Sequence, residues 1–333
     1  MHPFALERPR DLRSALALRA QAGRNDIATE YLGGGTDMVQ LLQENVRSPE
    51  RLVSLGSVLD KRIEASPQGL RIGGGATMAE TAAHPEVATR FPLIAQALLA
   101  SASPQVRNQA TMGGNLLQRT RCPYFRDTGY SACNKRKPGS GCAAIGGENR
   151  WHAVLGGSEH CIAVHPSDLA VALVALDATV HVQGLSGERA VALADFHRLP
   201  GSTPHIEAEL RPGEAVTAIS VPEHPVNRRA HYLKVRDRAS FEFAVVSAAV
   251  ALDLQDGGRI REARVALGGV GTKPWRLPKV EAALAGAGLQ RDALRRAAAL
   301  AAQGAQGRGH NDFKIELMQR AIVRAVEAAG GVA

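Results

Sequence analysis

The stretch Glu30-Tyr31-Leu32-Gly33-Gly34-Gly35-Thr36-Asp37-Met38-Val39-Gln40-Leu41-Leu42 reads as a short strand, a glycine turn and the start of a helix. Glycines let backbone N–H groups converge on phosphate oxygens and permit positive φ, and the following helix N-terminus adds a favourable dipole. The turn is not the GxGxxG of a nicotinamide-binding unit, and it lacks the Lys-Ser/Thr of a P-loop. Taken alone it reads equally well as a structural turn in which Asp37 caps the helix.

Working outward, Leu12 to Ala20 reads as an amphipathic helix, with Leu12, Ala15, Leu16 and Arg19 at helical spacing, followed by a polar turn. Leu52-Val53-Ser54-Leu55 and Leu70-Arg71-Ile72-Gly73 are short strands, the second running into another glycine turn, Gly73-Gly74-Gly75. Pro92 opens a helix through Ala100, as proline is tolerated at the first helical position. A further small-residue turn, Thr111-Met112-Gly113-Gly114-Asn115, taken alone reads more readily as a plain turn, the alternative being a second place for a phosphate. From Gln118 to about Val164 the chain is rich in Cys, Gly, Pro, Arg and Lys and shows little apolar period; so long an irregular connection is usually functional or disordered. Regular pattern returns with the helix from Asp168 to Leu173 and the strands Thr179 to Val182 and Ala218 to Pro222. Pro222 to Arg229 reads as a linker. Beyond it lie paired strands, Val245 to Leu254 and Glu262 to Leu267, around Asp256-Gly257-Gly258. Two helices follow near Arg291 to Ala302 and Ile315 to Ala329, so a smaller α+β domain closes the chain.

The 333 residues, 45% hydrophobic, 22% charged and 4% aromatic, suit a folded protein of two or three domains and exclude a collagen-like repeat or a disordered tail. A net charge of +8 permits an anionic cofactor, an acidic partner or nucleic acid. No zinc finger, basic arm or interleaved aromatics point to nucleic acid, which is not expected as a partner. The start, Met1-His2-Pro3-Phe4-Ala5-Leu6, lacks the apolar core of a signal peptide, and no run reaches the roughly 18 apolar residues that cross a bilayer. Folding in the cytoplasm is expected, with export to the periplasm left open alongside a partner that carries a signal.

All four cysteines, Cys122, Cys133, Cys142 and Cys161, fall within one 40-residue stretch. Three readings compete. Disulfides conflict with cytoplasmic folding. Zinc usually shows a short Cys-x2–4-Cys pair, whereas these intervals are 10, 8 and 18 residues. An iron–sulfur cluster suits long intervals, and Arg119, Arg121, Arg126, Lys135, Arg136 and Lys137 offer positive charge to four thiolates. His152, His160 and His165 are alternative ligands nearby. No Ser–His–Asp order with an elbow and no HExxH is present, so no catalytic residue is assigned. Asp168 reads as a hydroxyl acceptor or an ordinary N-terminal carboxylate, and Lys234 as a contact for an anionic flavin or a solvated strand residue.

Five segments, in order, resemble the FAD-binding subunits of the xanthine dehydrogenase family: Leu32 to Asp37, Ile72 to Thr77, Arg107 to Asn115, Pro166 to Ala170 and Lys234 to Arg236. The surroundings of the cysteines narrow the likeness. Gln118 to Phe125, Cys133 to Arg136, Pro138 to Cys142 and His160 to Ala163 are similar to the flavin subunits of periplasmic-type aldehyde oxidoreductases, as are Lys273-Pro274-Trp275-Arg276 and Phe313-Lys314.

The resemblance implies an α+β chain: a two-subdomain PCMH/VAO-type FAD-binding domain over 1–222, then a CO-dehydrogenase-flavoprotein-like C-terminal domain over 229–333. The subdomains would be about 1–55 and 56–222, with an iron–sulfur insertion at about 119–164. Tyr31, Leu32, Gly33, Gly34, Gly35, Thr36, Asp37, Met38 and Val39, with Thr111, Gly114 and Asn115, would hold the pyrophosphate of FAD. Asp168 would bind ribose, Val216 would pack on the flavin and Lys234 would lie near the isoalloxazine. Cys122, Cys133, Cys142 and Cys161 would ligate one [4Fe–4S] cluster. Expected partners are a small [2Fe–2S] subunit, a large molybdopterin subunit that oxidises an aldehyde, and an external electron acceptor. The rival readings are a zinc-stabilised binding module and a stand-alone FAD oxidoreductase.

Overall fold

A computed structural model describes residues 1–20 and 28–332. Its strands sort into three sheets. The first joins β1 (Ala5–Glu7), β2 (Thr29–Leu32) and β3 (Arg51–Ser54) in the order β1-β3-β2, all parallel. Parallel neighbours need crossovers, and the helices Leu12–Ala20 and Met38–Gln43 lie in those connections, where their sequence patterns put them. The polar turn expected after Ala20 falls outside the described residues.

The second sheet holds β4 (Ile63–Ser66), β5 (Gly69–Gly73), β6 (Thr179–Gly184), β7 (Gly187–Ala192) and β8 (Ala215–Pro222), antiparallel in the order β4-β5-β8-β6-β7. One face is apolar at every second residue: Val180 and Val182 of β6 are fully buried. Helices Pro92–Ala100 and Asp168–Ala175 share its core, and every residue of the latter is buried. β8 starts three residues earlier than its apolar run suggests. Thr217 Oγ1 and a register shift at His181/Val182 carry the ladder past the expected end, bringing Val216 into the sheet.

The third sheet, β9 (Ala230–Val235), β10 (Val246–Leu254), β11 (Ile260–Gly268) and β12 (Trp275–Arg276), is antiparallel in the order β12-β11-β10-β9. It is covered on both sides. Ala249, Ala251 and Ala266 face the core of the second sheet, while Ala248, Val250, Leu252, Val265 and Leu267 face helices Pro278–Leu284, Arg291–Ala299 and Phe313–Gly330. A strand buried on both faces loses its polar alternation, which is why Val245 to Leu252 is apolar but for the buried Ser247. The stretch from Pro222 to Arg229 is not a free linker. It forms a 3-10 turn, Pro225–Arg228, with Val226 in the core and Asn227 Nδ2 donating to the Pro222 carbonyl at 2.9 Å.

Lys314 opens the helix Phe313–Gly330 with no exposed surface, and its ammonium donates to the Gly269 carbonyl at 2.7 Å. Burial, aided by the Arg150 charge, lowers its pKa from 10.5 to about 7. Between those two values the unfolded chain binds a proton that the folded chain does not, so stability contributed at this position rises with pH across that window. The wild type should therefore gain stability relative to Lys314→Met as pH is raised from about 7 to 9, read as the difference of urea midpoints. A difference that stays constant would show that the ammonium is not depressed.

Candidate cofactor cavity and cysteine loop

The strand–turn–helix that opens the chain ends at a cavity of about 560 Å³. Gly33 and Gly34 press against the turn that precedes helix Met112–Leu116. A Cβ on Gly34 would lie 1.7 Å from the Gln109 carbonyl oxygen, and one on Gly33 would lie 2.9 Å from Thr111 Oγ1. The triple glycine thus serves close approach of two backbones, and positive φ is required only at Gly35 (φ +77°). Thr111 caps Met112–Leu116 by accepting from Gly114 N at 3.2 Å. The second triple glycine, Gly73 to Gly75, lies outside the cavity lining: Gly74 accepts from Gly113 N and supports the turn from behind.

The cavity is lined by Tyr31, Gly33, Gly34, Gly35, Thr36, Asp37, Met38, Thr111, Gly114, Asn115, Asp168, Val216 and Lys234, the residues expected of it apart from Leu32 and Val39. Those two side chains flank Gly35 from the other side of the turn. Tyr31 reaches across the opening, donating to the Gly213 carbonyl at 2.8 Å, and burial raises the pKa of its phenol. Asn115 Oδ1 accepts from Ser167 Oγ at 2.5 Å, which joins the turn to the next helix start.

Asp168 and Lys234, given separate roles by the sequence, are each other's partner. Lys234 Nζ lies 2.8 Å from Asp168 Oδ2, with both side chains almost fully buried. Ser101 Oγ donates to the same oxygen at 2.9 Å, Tyr232 donates to Oδ1 at 2.6 Å, and Lys234 also donates to the Ala100 carbonyl at 3.1 Å. A carboxylate offers about four acceptor positions. Three are filled, which leaves room for one hydroxyl from the cavity. Burial and the Asp168 charge raise the Tyr232 phenol well above its ordinary pKa, so it remains a donor.

Asp37 does not cap its helix. Its carboxylate accepts from Arg119 N at 2.7 Å and Arg126 Nη2 at 2.6 Å, and pairs with Arg121 Nη1 at 2.8 Å. The glycine turn is thereby fastened to the segment that ends at Cys122. On the other side of that segment Glu207 pairs with Arg119 and Lys135. Burial alone would raise the Glu207 pKa; the two cations outweigh it and hold the carboxylate ionised. Arg136 donates to the carbonyls of Tyr124, Phe125, Asp127 and Tyr130, folding the loop around itself. The basic residues read from the sequence as charge compensation for thiolates are therefore mostly engaged in holding the loop. Sequence reading missed Ser101, Tyr232 and Glu207, whose roles depend on partners 64 or more residues away.

The four cysteines are free thiols. Cys133 and Cys142 face each other across an antiparallel bridge. Burial pushes the Cys122 thiol up to about 12, helped by the neighbouring Cys161 and Cys133. Burial likewise puts Cys161 at about 11, with Cys142 close enough to add to the effect. Cys122 packs into one small apolar cluster with Cys133 and into another with Cys142. Among the described residues no group of three or more His, Cys, Asp or Glu is placed to hold a single metal ion. Of the nearby histidines, His160 is exposed and His165 lies at a tilt against His197 with ring centroids 4.2 Å apart, whereas His152 Nε2 lies 3.1 Å from Cys122 Sγ.

Residues 2–224 match the family described as FAD binding domain in molybdopterin dehydrogenase, and residues 231–329 match the CO dehydrogenase flavoprotein C-terminal domain. The chain is 45% identical over 303 residues to the aldehyde oxidoreductase FAD-binding subunit PaoB of Escherichia coli (strain K12), covering 90% of this chain and 91% of that one. It is 26% identical over 331 residues to the carbon monoxide dehydrogenase medium chain of Afipia carboxidovorans, covering 98% and 96%. A chain of the Cu,Mo-CO dehydrogenase crystal structure, in its cyanide-inactivated form, matches with a TM-score of 0.76 at 25% identity and full coverage of both chains.

Gly34→Ala should lose FAD and stability together, because even a methyl group collides with the Gln109 backbone. Gly139→Ala is the control: that glycine has φ +83° but open space around it, so strain alone leaves flavin content unchanged. Flavin absorbance per folded chain after gel filtration reads both, and a fully loaded, folded Gly34→Ala would show that the close approach does not shape the cofactor site.

Proposed function

Because the chain belongs to the FAD-binding subunits of the molybdenum hydroxylases, the xanthine dehydrogenase family, we propose that it is the electron-transfer subunit of a heterotrimeric aldehyde oxidoreductase holding both FAD and a [4Fe–4S] cluster. The observation that carries this reading is the Asp37 carboxylate, which fixes the cysteine segment directly to the glycine turn of the cofactor cavity. Two electron carriers held by one rigid connection suit a relay. The 45% identity with an aldehyde oxidoreductase subunit supports an aldehyde as the substrate of the molybdenum partner.

FAD would supply the step between a two-electron donor and an acceptor, and the cluster a one-electron site beside it. The residues of this chain do the rest. Gly33, Gly34, Thr111 and Gly114 shape the cradle for the pyrophosphate. Asp168 keeps an acceptor position for a ribityl or ribose hydroxyl, and Lys234 brings a buried positive charge to the wall. Val216 closes the cavity floor behind them.

Four cysteines gathered in one loop, with no three of the described residues converging on a single ion, suit a cluster better than zinc. At a Zn–S distance of about 2.3 Å, tetrahedral sulfurs converge to within roughly 4 Å of one another. A cubane gives each thiolate its own iron, so its ligands surround a body and need not meet at a point. Iron and acid-labile sulfide should each reach about four per chain in protein purified without air. Stoichiometric zinc without iron would replace this reading by the zinc-stabilised module.

The described residues contain no constellation for proton abstraction from an aldehyde. In stopped flow, an aldehyde should reduce the flavin rapidly only when the molybdenum and [2Fe–2S] chains are present. Rapid reduction in this chain alone would establish a stand-alone oxidoreductase instead.

A further inference from the structure

His152 is the one imidazole in the cysteine loop that is both buried and directed at a cysteine sulfur. It is 1% exposed, and Nε2 lies 3.1 Å from Cys122 Sγ. The other ring nitrogen, Nδ1, is buried without a hydrogen-bond partner. Buried N–H groups without an acceptor are rarer than under-used acceptors, so the ring proton belongs on Nε2, facing the sulfur.

The ring is also held in place from a distance. Asn311, fully buried and from the C-terminal part of the chain, donates to the carbonyls of Ala153 (3.1 Å) and His152 (3.4 Å). His152 N donates to the Asn149 carbonyl, and Asn149 Nδ2 donates to the Arg308 carbonyl at 2.8 Å. Tyr124, one residue beyond Pro123 in the helix that begins after Cys122, lies against the ring with centroids 6.1 Å apart. A side chain that serves only to fill space needs no such fixing of its backbone from two sides.

We propose that His152 is a positioning residue that sets the reduction potential of the cluster, by donating Nε2–H to the Cys122 sulfur. This rests on the cluster reading above. A hydrogen bond to a ligating thiolate withdraws electron density from sulfur and favours the reduced, more negative state of the cluster, so it raises the potential. The Cys161 sulfur has a weaker counterpart in Ala163 N–H at 3.4 Å, which cannot be removed by changing a side chain. The N–H groups of Phe125 and Tyr124 that also face the Cys122 sulfur are likewise backbone, so His152 is the donor that a substitution can remove.

The test is an EPR-monitored redox titration of the cluster in the complete heterotrimer, with iron, sulfide and FAD content measured on the same samples. His152→Leu should keep the cluster and FAD but shift the cluster to lower potential, by about 59 mV for a tenfold change in the one-electron equilibrium. His152→Gln, which restores an N–H donor, should return most of that shift. Equal potentials in wild type and His152→Leu overturn the proposal while leaving the cluster intact. Absence of iron and sulfide from the wild type overturns the cluster reading itself. Loss of the cluster from both variants also overturns the proposal, because it makes His152 a ligand or a structural residue. If only His152→Leu loses its cluster, His152→Gln is compared with His152→Asn, whose shorter arm does not reach Sγ. A higher potential for glutamine supports the proposal and equal potentials overturn it.

Discussion

The carboxylate of Asp37 is the constraint on which the rest of the cofactor region depends. It receives a backbone N–H and two guanidinium groups from an eight-residue segment, Arg119 to Arg126, that has only one short turn of helix of its own. Charge-assisted bonds of this kind are roughly twice as strong as neutral ones, and three on one carboxylate fix a segment in position as well as in register. Arg121, pushed down to about 10 by burial against the pull of Asp37, stays charged at neutral pH and stacks on the ring of Phe243 at 4.9 Å. One acidic residue at the start of a helix therefore determines where a loop more than 80 residues later can lie.

The opposite wall of the cavity is built differently. Asp168 and Lys234 are both withdrawn from water, and desolvating two charges costs more than their attraction returns unless the remaining positions are satisfied. Ser101, Tyr232 and the Ala100 carbonyl satisfy them. The network draws together the end of one helix, the start of another and a strand of the third sheet, so two helices of the second sheet's core and the third sheet share one polar junction at the cavity wall. Breaking one member would leave a buried charge exposed to an apolar helix, Asp168–Ala175, that has no water to offer.

Much of this was legible in the sequence, for identifiable reasons. Local patterns gave the helices Leu12–Ala20 and Pro92–Ala100 to the residue, because caps, proline and apolar spacing are short-range signals. The expected cavity residues came from the family resemblance of the segments that hold them, because a glycine turn alone reads equally well as a plain structural turn. Three things were not. The stretch Pro222 to Arg229 has linker composition, yet Val226 finds a core built mostly from residues far upstream. Asp37 was read as a cap or a phosphate contact because its true partners lie beyond any local window. The basic residues around the cysteines were read as a field acting on thiolates, whereas Arg119, Arg126, Lys135 and Arg136 have specific carboxylates and carbonyls to hold. Long-range polar pairing leaves no periodic trace in a single sequence.

The clasp of Asn311 and Arg308 on residues 149 to 153 bears on biogenesis. Synthesis runs from N- to C-terminus, and each of these contacts spans 159 residues. All four cysteines have emerged well before the residues that hold the backbone around His152. Until then the loop lacks the anchors that fix the backbone on either side of His152. The loop is thus completed last, by residues that follow every strand of the three sheets in the order of synthesis.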